Sequence, residues 1–216
     1  MVEKLTDEEK EYYVLIRKAF AALAPFYDIV VAPFSGVREK VVDFTNAQKD
    51  SKILDVATGT GKQAFAFAKK GYEVIGIDIS EPMLNVAKKK NKYKNAKFEI
   101  ADATNLPFAD NNFDVSSISF ALHDMPFSIR EKVLKEMVRV TKPEGIIVIA
   151  DYDLPKNKIA KFFVYYFIAV YESEYYKNFI KSDLEALLKK YRIETIEKRT
   201  VLSGTGRILK GTNKKL

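Results

Sequence analysis

Short apolar, β-branched runs recur at Lys52 to Val56, Glu73 to Asp78, Lys97 to Ala101, Asp114 to Phe120 and Gly145 to Asp151, with helical stretches between them. Runs of that length, bounded by turn residues, predict buried strands. Strands separated by helix-length segments predict right-handed βαβ crossovers, hence a parallel sheet covered on both faces. Helix starts are marked as well. Ser80-Glu81-Pro82 supplies an N-cap and a first-turn proline ahead of Met83 to Lys90, and Thr6-x-x-Glu9 and Ser182-x-x-Glu185 read as capping boxes.

After Asp151 the alternation changes. Ile159 to Phe179 is an aromatic, helix-like stretch and Asp183 to Lys190 a further helix; Arg192 to Thr200 and Arg207 to Thr212 read as strands joined through Ser203-Gly204-Thr205-Gly206. So short a connection predicts an antiparallel hairpin. The expected fold class is α/β, a three-layer Rossmann-like sandwich whose mostly parallel sheet ends in that hairpin. With no internal repeat and no Gly/Ser linker, residues 1–216 are expected to form one domain: a helical cap over 1–48, a cofactor-binding core over 49–152, an aromatic lid and helix over 153–191, and the hairpin over 192–216.

Composition narrows the classes. A hydrophobic content of 47% in 216 residues is enough for a substantial core and excludes a disordered chain. No apolar run approaches the roughly 18 residues that span a bilayer, and the charged segment Met1 to Lys10 lacks a secretory signal's apolar stretch, so a soluble, cytoplasmic protein is expected. Zero Cys removes disulfides, thiolate metal sites and cysteine nucleophiles, and one His removes any multi-histidine site, so no metal is expected. The net charge of +7 comes from 29 Lys and 7 Arg against 29 acids, a lysine excess that fits a thermophile's surface at least as well as a nucleic-acid footprint. The densest cluster, Lys88, Lys89, Lys90, Lys92 and Lys94, falls where a helix is expected to end and cations complement its dipole. Basic composition therefore names no partner, no nucleic acid is expected, and the oligomeric state is left open.

The run Ile53 to Ala64 reads as a buried strand, a glycine turn and a helix start. Gly59 and Gly61 permit positive φ and carry no Cβ, so the backbone can approach a ligand at a helix N-terminus. A lone G-x-G is weak; this one is answered by Asp78, nineteen residues after Gly59 at the end of the next strand, where an acid can accept both ribose hydroxyl protons. Asp102-Ala103 closes the third strand and Ser119-Phe120 the fourth, so Gly59, Asp78, Asp102 and Ser119 fall on one carboxyl edge. There Asp102 can accept from an adenine amino group while the Ala103 N–H donates to a ring nitrogen. A dinucleotide needs no acid at that third position, and Asp55 beside the turn would repel a pyrophosphate but suit an ammonium and a sulfonium. The charge pattern favours S-adenosylmethionine. Taken singly, Asp78 or Asp102 also serves as an ordinary helix cap or turn former.

These residues resemble a known family. Leu54 to Gly61, Gly76 to Ser80, Ala101-Asp102-Ala103 with Leu106-Pro107-Phe108, Phe113-Asp114, and Val138 to Gly145 look like the successive motifs of class I S-adenosylmethionine-dependent methyltransferases, in order from about Ile53 to Ala150. Within that superfamily the chain resembles the ubiquinone/menaquinone biosynthesis C-methyltransferase group, through Phe26-Tyr27-Asp28, Ile118 to Leu122 and Leu202 to Gly206. It departs from that group in a shorter segment after Asp153 and in His123, which stands where arginine is expected. The resemblance implies a seven-stranded sheet with a reversed seventh strand and S-adenosyl-L-methionine as cofactor. It implies that Thr60, Asp78, Asp102, Ala103 and Ser119 contact the cofactor, that Gly59 and Gly61 shape its turn, and that Tyr27 reaches in from the cap. Asp55, Ala57, Ile79 and Met83 complete the expected set.

Methyl transfer from a sulfonium is an in-line displacement by an already activated donor, so the protein mainly aligns the acceptor and excludes water. A phenol, enol or carbon acid gains from a base, and His123, just past Ser119, is the only imidazole; a loop-bonded structural histidine is the plainer alternative, with Asp124 and Asp151 as weaker candidates for the base. The sequence after the fourth strand lacks the Asn/Asp-Pro-Pro-aromatic signature of amino-methylating DNA enzymes, and no Cys exists to attack cytosine or bind arsenic. A small-molecule acceptor, apolar or aromatic, quinone-precursor-like or lipid-like, is expected. The aromatic run Phe162 to Tyr171, with Tyr175, Tyr176 and Phe179, can wall such a pocket, dip transiently into a membrane surface, or simply pack against the cap aromatics Tyr12, Tyr13, Phe20, Phe26 and Tyr27. Two other functions fit the same glycine turn: an NAD-type oxidoreductase and a non-catalytic S-adenosylmethionine-binding protein.

Overall fold

A computed structural model of the protein describes residues 5–32, 35–159, 161–162, 165 and 174–215. Seven strands form one sheet in the order β3-β2-β1-β4-β5-β7-β6. They are β1 (Lys52–Val56), β2 (Glu73–Asp78), β3 (Ala96–Ile100), β4 (Phe113–Ser119), β5 (Thr141–Tyr152), β6 (Ile193–Val201) and β7 (Gly206–Asn213). Strands β1 to β5 pair in parallel, and β7 runs antiparallel between β5 and β6. The mostly parallel sheet and the reversed seventh strand are as expected. Central strands such as β1 are buried on both faces, which explains their unbroken apolar character, whereas the edge strand β6 exposes Glu194, Glu197, Lys198 and Arg199 and so discourages pairing with another sheet.

The helices are α1 (Asp7–Leu23), α2 (Tyr27–Val30), α3 (Ser35–Thr45), α4 (Lys62–Lys69), α5 (Glu81–Lys90), α6 (Phe127–Val140), α7 (Glu174–Lys181) and α8 (Leu184–Lys190). They form two layers. On one face, Leu54, Val56 and Ile118 pack with Ile129, Val133 and Met137 of α6, Leu187 of α8 and Tyr12 of α1. On the other, Ile53, Val74 and Val115 pack with Ala64 and Phe67 of α4 and Leu84 of α5. The N-terminal helices divide. Tyr12 and Tyr13 of α1 and Tyr27 of α2 line the space at the sheet's carboxyl rim, but α3 is a layer helix, because Val37, Val41, Val42 and Phe44 are buried in the second core.

Three local expectations change. Thr6 and Glu9 form their reciprocal capping box, yet the cap of α8 is Asp183, accepting from Ala186 N at 3.0 Å, because the Ser182 hydroxyl is spent on Phe179 O. Ser80 caps α5 without a side-chain hydrogen bond. No helix fills residues 101–112: α6 satisfies that loop's backbone instead, with Arg139 donating to Leu106 O and Phe108 O and Glu136 accepting from Leu106 N. Within the predicted aromatic lid, residues 160, 163–164 and 166–173 lie outside the described residues.

Candidate active site

The parallel strands deliver their carboxyl ends to one rim. The chain leaves β1 and β4 through left-handed residues, Ala57 and Phe120, each with φ 53°. Such conformations cost about 1–3 kcal/mol in a non-glycine residue and concentrate at functional sites. They are held by Thr58 N donating to Ile77 O at 2.8 Å and Phe120 N to Ala150 O at 2.7 Å. Two cavities open beside these bends, of about 750 and 1190 Å³, and six residues border both: Phe20, Tyr27, Ala57, Gly59, Phe120 and Asp124.

The first cavity collects Asp78, Ile79, Met83, Asp102 and Ala103 from the expected set. Asp78 accepts from Gly59 N at 2.8 Å and Ser80 N at 2.9 Å, one bond on each oxygen, so each keeps a lone pair for a ligand hydroxyl. Burial raises its pKa, while the N–H groups of Ser80, Gly59 and Ile79 favour its charge. Asp102 Oδ1 takes Thr104 N and Thr104 Oγ1, both at 2.8 Å, and the Tyr13 hydroxyl at 3.1 Å. The turn-forming alternative for Asp102 is therefore realised on one oxygen, with Oδ2 left over among the described residues. Apolar walls come from Tyr12, Ile16, Met125, Ile129 and Val133.

The second cavity collects Asp55, Thr60, Ser119 and His123. Asp55 is buried and its pKa is pushed up to about 7 by burial, although the Thr58 hydroxyl at 2.6 Å and the Ala64 N–H pull the other way. Three buried polar atoms on this wall lack a partner among the described residues: Arg38 Nη1, Gln63 Oε1 and Ser119 Oγ. Burial lowers the Arg38 pKa against the pull of Tyr27, Asp28 and Asp55. Unpaired buried donors and acceptors are costly, and a cation, an amide oxygen and a hydroxyl left open beside Asp55 fit a zwitterionic ligand end. The Thr60 hydroxyl is already committed, donating to Asp28 Oδ1 at 2.6 Å; Asp28 also accepts from Lys90 at 2.6 Å. Burial works against the Asp28 charge, but these bonds hold its pKa below the usual carboxylate range.

Gly61 and His123 take places apart from the other expected residues. Gly61 borders neither cavity: it caps α4 at φ +80°, and a Cβ there would sit 2.8 Å from the Phe98 ring and 3.0 Å from Ala87 Cβ, so its bareness serves packing. Gly59, whose Cβ would meet nothing closer than Tyr27 at 3.8 Å, is the glycine at the ligand side. His123 is not arranged as a base. Its Nδ1 lies 2.8 Å from Asp151 Oδ1 and its Nε2 3.3 Å from Asp124 Oδ2. Burial would lower its pKa, but the two carboxylates outweigh it and push it up to about 10, which favours the charged ring, and each ring nitrogen faces a carboxylate oxygen. The edges of Tyr152, Tyr176 and Phe179 enclose it. Asp151 borders neither cavity.

Sequence reasoning missed Arg38 and Gln63, and it placed Tyr12 and Tyr13 no more closely than in a cap. A signal for Arg38 existed: it lies three and four residues before Val41 and Val42, on the buried stripe of α3. Among the described residues, no group of three or more His, Asp or Glu is placed to hold a metal, and no helix is long and apolar enough to cross a membrane.

Residues 47–198 match the family described as a methyltransferase domain. The chain is 40% identical over 159 residues to a demethylmenaquinone methyltransferase of Paenarthrobacter aurescens, covering 71% of this chain and 58% of that protein. It is 38% identical over 176 residues to the ubiquinone/menaquinone biosynthesis C-methyltransferase of Rickettsia prowazekii, covering 74% and 69%. The chain thus spans less than two thirds of the first relative's length and slightly more than two thirds of the second's. Its fold is shared with a SAM-dependent methyltransferase from Aquifex aeolicus, at a TM-score of 0.64 and 21% identity over 81% of this chain and 88% of that one. The chain belongs to the methyltransferase-domain family.

Proposed function

We propose that this chain transfers a methyl group from S-adenosyl-L-methionine to a small aromatic acceptor of the quinol type. The observation that carries the reading is the pair of cavities meeting at Gly59, one bearing the Asp78 and Asp102 carboxylates, the other bearing Asp55 and the unpaired Arg38 Nη1. An adenosine fits the first, with ribose hydroxyls on Asp78 and the adenine amino group on Asp102; an α-amino acid end fits the second, with its ammonium at Asp55 and Gln63 Oε1 and its carboxylate at Arg38. When bound, the sulfonium donor supplies a methyl group already activated for displacement. The protein's own residues then bind, orient and keep water out: Phe20, Tyr27 and Phe120 close around the junction. The acceptor class is supported by the apolar wall of Tyr12, Ile16, Ile129 and Val133 and by the two quinone-pathway names among the relatives. A nicotinamide dinucleotide fits poorly, because its pyrophosphate would face Asp55. The absence of Cys and the charged surface support action in the cytoplasm.

Calorimetry with adenosylhomocysteine and with NAD, followed by labelled-methyl transfer to anaerobic quinols, tests the reading. Binding of adenosylhomocysteine alone with methylated quinol as product is expected; binding of NAD in its place would overturn it.

A further inference from the structure

If the donor's two ends occupy the two cavities, the reacting methyl lies where they meet. Six residues border both spaces, and Asp124 is the one carboxylate among them. It sits in the short 3-10 turn Leu122–Asp124 that follows β4, with its side chain 31% exposed, while His123 beside it is only 10% exposed and Asp151 behind it 1%. The three are in line: Asp151 Oδ1, His123 Nδ1, His123 Nε2, Asp124 Oδ2, with separations of 2.8 and 3.3 Å. Asp151 is fixed in turn by the backbone N–H of Tyr152 at 2.8 Å and of His123 at 3.3 Å. A buried carboxylate thus anchors an imidazole that pins one oxygen of a second carboxylate; His123 borders the second cavity, and Asp124 alone of the three borders both.

We propose that Asp124 is the catalytic base for a neutral protic acceptor, a dihydroxyarene, and that His123, held by Asp151, is the positioning residue that aims it. This rests on the donor reading above. The step is balanced: the acceptor O–H bond breaks, Asp124 gains the proton and becomes a neutral acid, and the bonding pair stays on the acceptor oxygen, leaving an aryloxide electron-rich at its ring carbons. Acceptor specificity follows. A carboxylate at the junction repels an anionic acceptor and selects a hydroxyl that can donate to it. The charged or titratable neighbours of the His123–Asp124 pair are Asp151 and Tyr152 on β5, Tyr176 on α7, and Tyr12 on α1 and Tyr27 on α2, whose pKa values are raised by burial and also by Asp124; Asp151 acts on Arg130 of α6 as well.

The test uses the full chain saturated with adenosylhomocysteine and two anaerobic probes, 1,4-dihydroxynaphthalene and its dimethyl ether. A hydrogen bond to a carboxylate predicts that the dihydroxy probe binds about tenfold or more tightly than the ether, and that Asp124→Leu abolishes this preference while adenosylhomocysteine affinity stays within about threefold. With labelled methyl donor, Asp124→Asn should lower kcat by about 10²–10⁴ with little change in KM, and its residual rate should recover as pH rises toward the probe's own ionisation. If either variant fails to fold, Asp124→Glu is expected to keep the hydroxyl preference but lose rate. Equal binding of the two probes by the parent, or undiminished turnover in Asp124→Asn, overturns the proposal. Parent protein that binds adenosylhomocysteine but methylates no dihydroxyarene also overturns it and spares the donor reading; failure to bind adenosylhomocysteine defeats the donor reading itself.

Discussion

Donor affinity should depend on pH through Asp55. Its pKa of about 7 means that half of the free protein carries a neutral acid there at pH 7, whereas an ammonium needs the charged form. The apparent dissociation constant is the intrinsic one divided by the competent fraction, so with about one eleventh ionised at pH 6 and about ten elevenths at pH 8, affinity should improve about tenfold between them. Binding should release about 0.9 proton at pH 6, about 0.5 at pH 7 and about 0.1 at pH 8, read by calorimetry with adenosylhomocysteine in buffers of different ionisation enthalpy. The same group sets a stability trend. Because the folded state holds this proton more tightly than the unfolded chain, whose Asp titrates near 3.8, its contribution falls as pH rises from about 4 to 7, by on the order of 4 kcal/mol. Asp55→Asn should flatten both curves. Affinity that is level from pH 6 to 8, or proton uptake on binding, would refute the placement of the ammonium at Asp55.

Three further outcomes are expected. His123→Gln should cost about 3–5 kcal/mol in urea unfolding below pH 6.5; a folded pKa raised to about 10 means that this contribution is complete below the unfolded value and is lost as pH climbs through 10, so the gap to the parent should narrow over that interval. Gly61→Ala should destabilise by about 2–4 kcal/mol in thermal unfolding, from positive φ and the Phe98 contact, whereas Gly59→Ala should cost about 1 kcal/mol and act mainly on donor affinity. Asp78→Asn should weaken adenosylhomocysteine binding by about 30-fold or more in calorimetry through loss of charged hydrogen bonds to the ribose; unchanged affinity would remove Asp78 from the site.

What the sequence made legible was local or periodic. The central strand β1 announces itself because burial on both faces makes it a nearly unbroken apolar run, the other parallel strands are marked by shorter apolar, β-branched stretches between turn residues, and Asp78 and Asp102 are found by position, as acids at strand ends. What escaped depends on residues far apart in the chain. The need for Gly61 to be bare is visible only once β3 brings Phe98 against it, and the protonation of His123 only once β5 places Asp151 28 residues away. Tyr13 meets Asp102 across 89 residues, and the unpaired nitrogen of Arg38 is brought into a cavity wall only by the fold. The missing helix between β3 and β4 has the same origin: Arg139 and Glu136 supply from a distance the hydrogen bonds a helix would have made locally.

The reversed strand β7 has a bearing on how the chain is assembled during synthesis. Because Gly206–Asn213 sits between β5 and β6, a ribosome-bound nascent chain that has reached Val201 holds every residue of the rim yet leaves the outer edge of β5 unzipped and β6 without a neighbour. That edge, with Ile147, Val148 and Ile149 in sequence, is sticky until β7 slots in, so premature termination anywhere before Gly206 should yield aggregating polypeptide rather than a smaller folded domain.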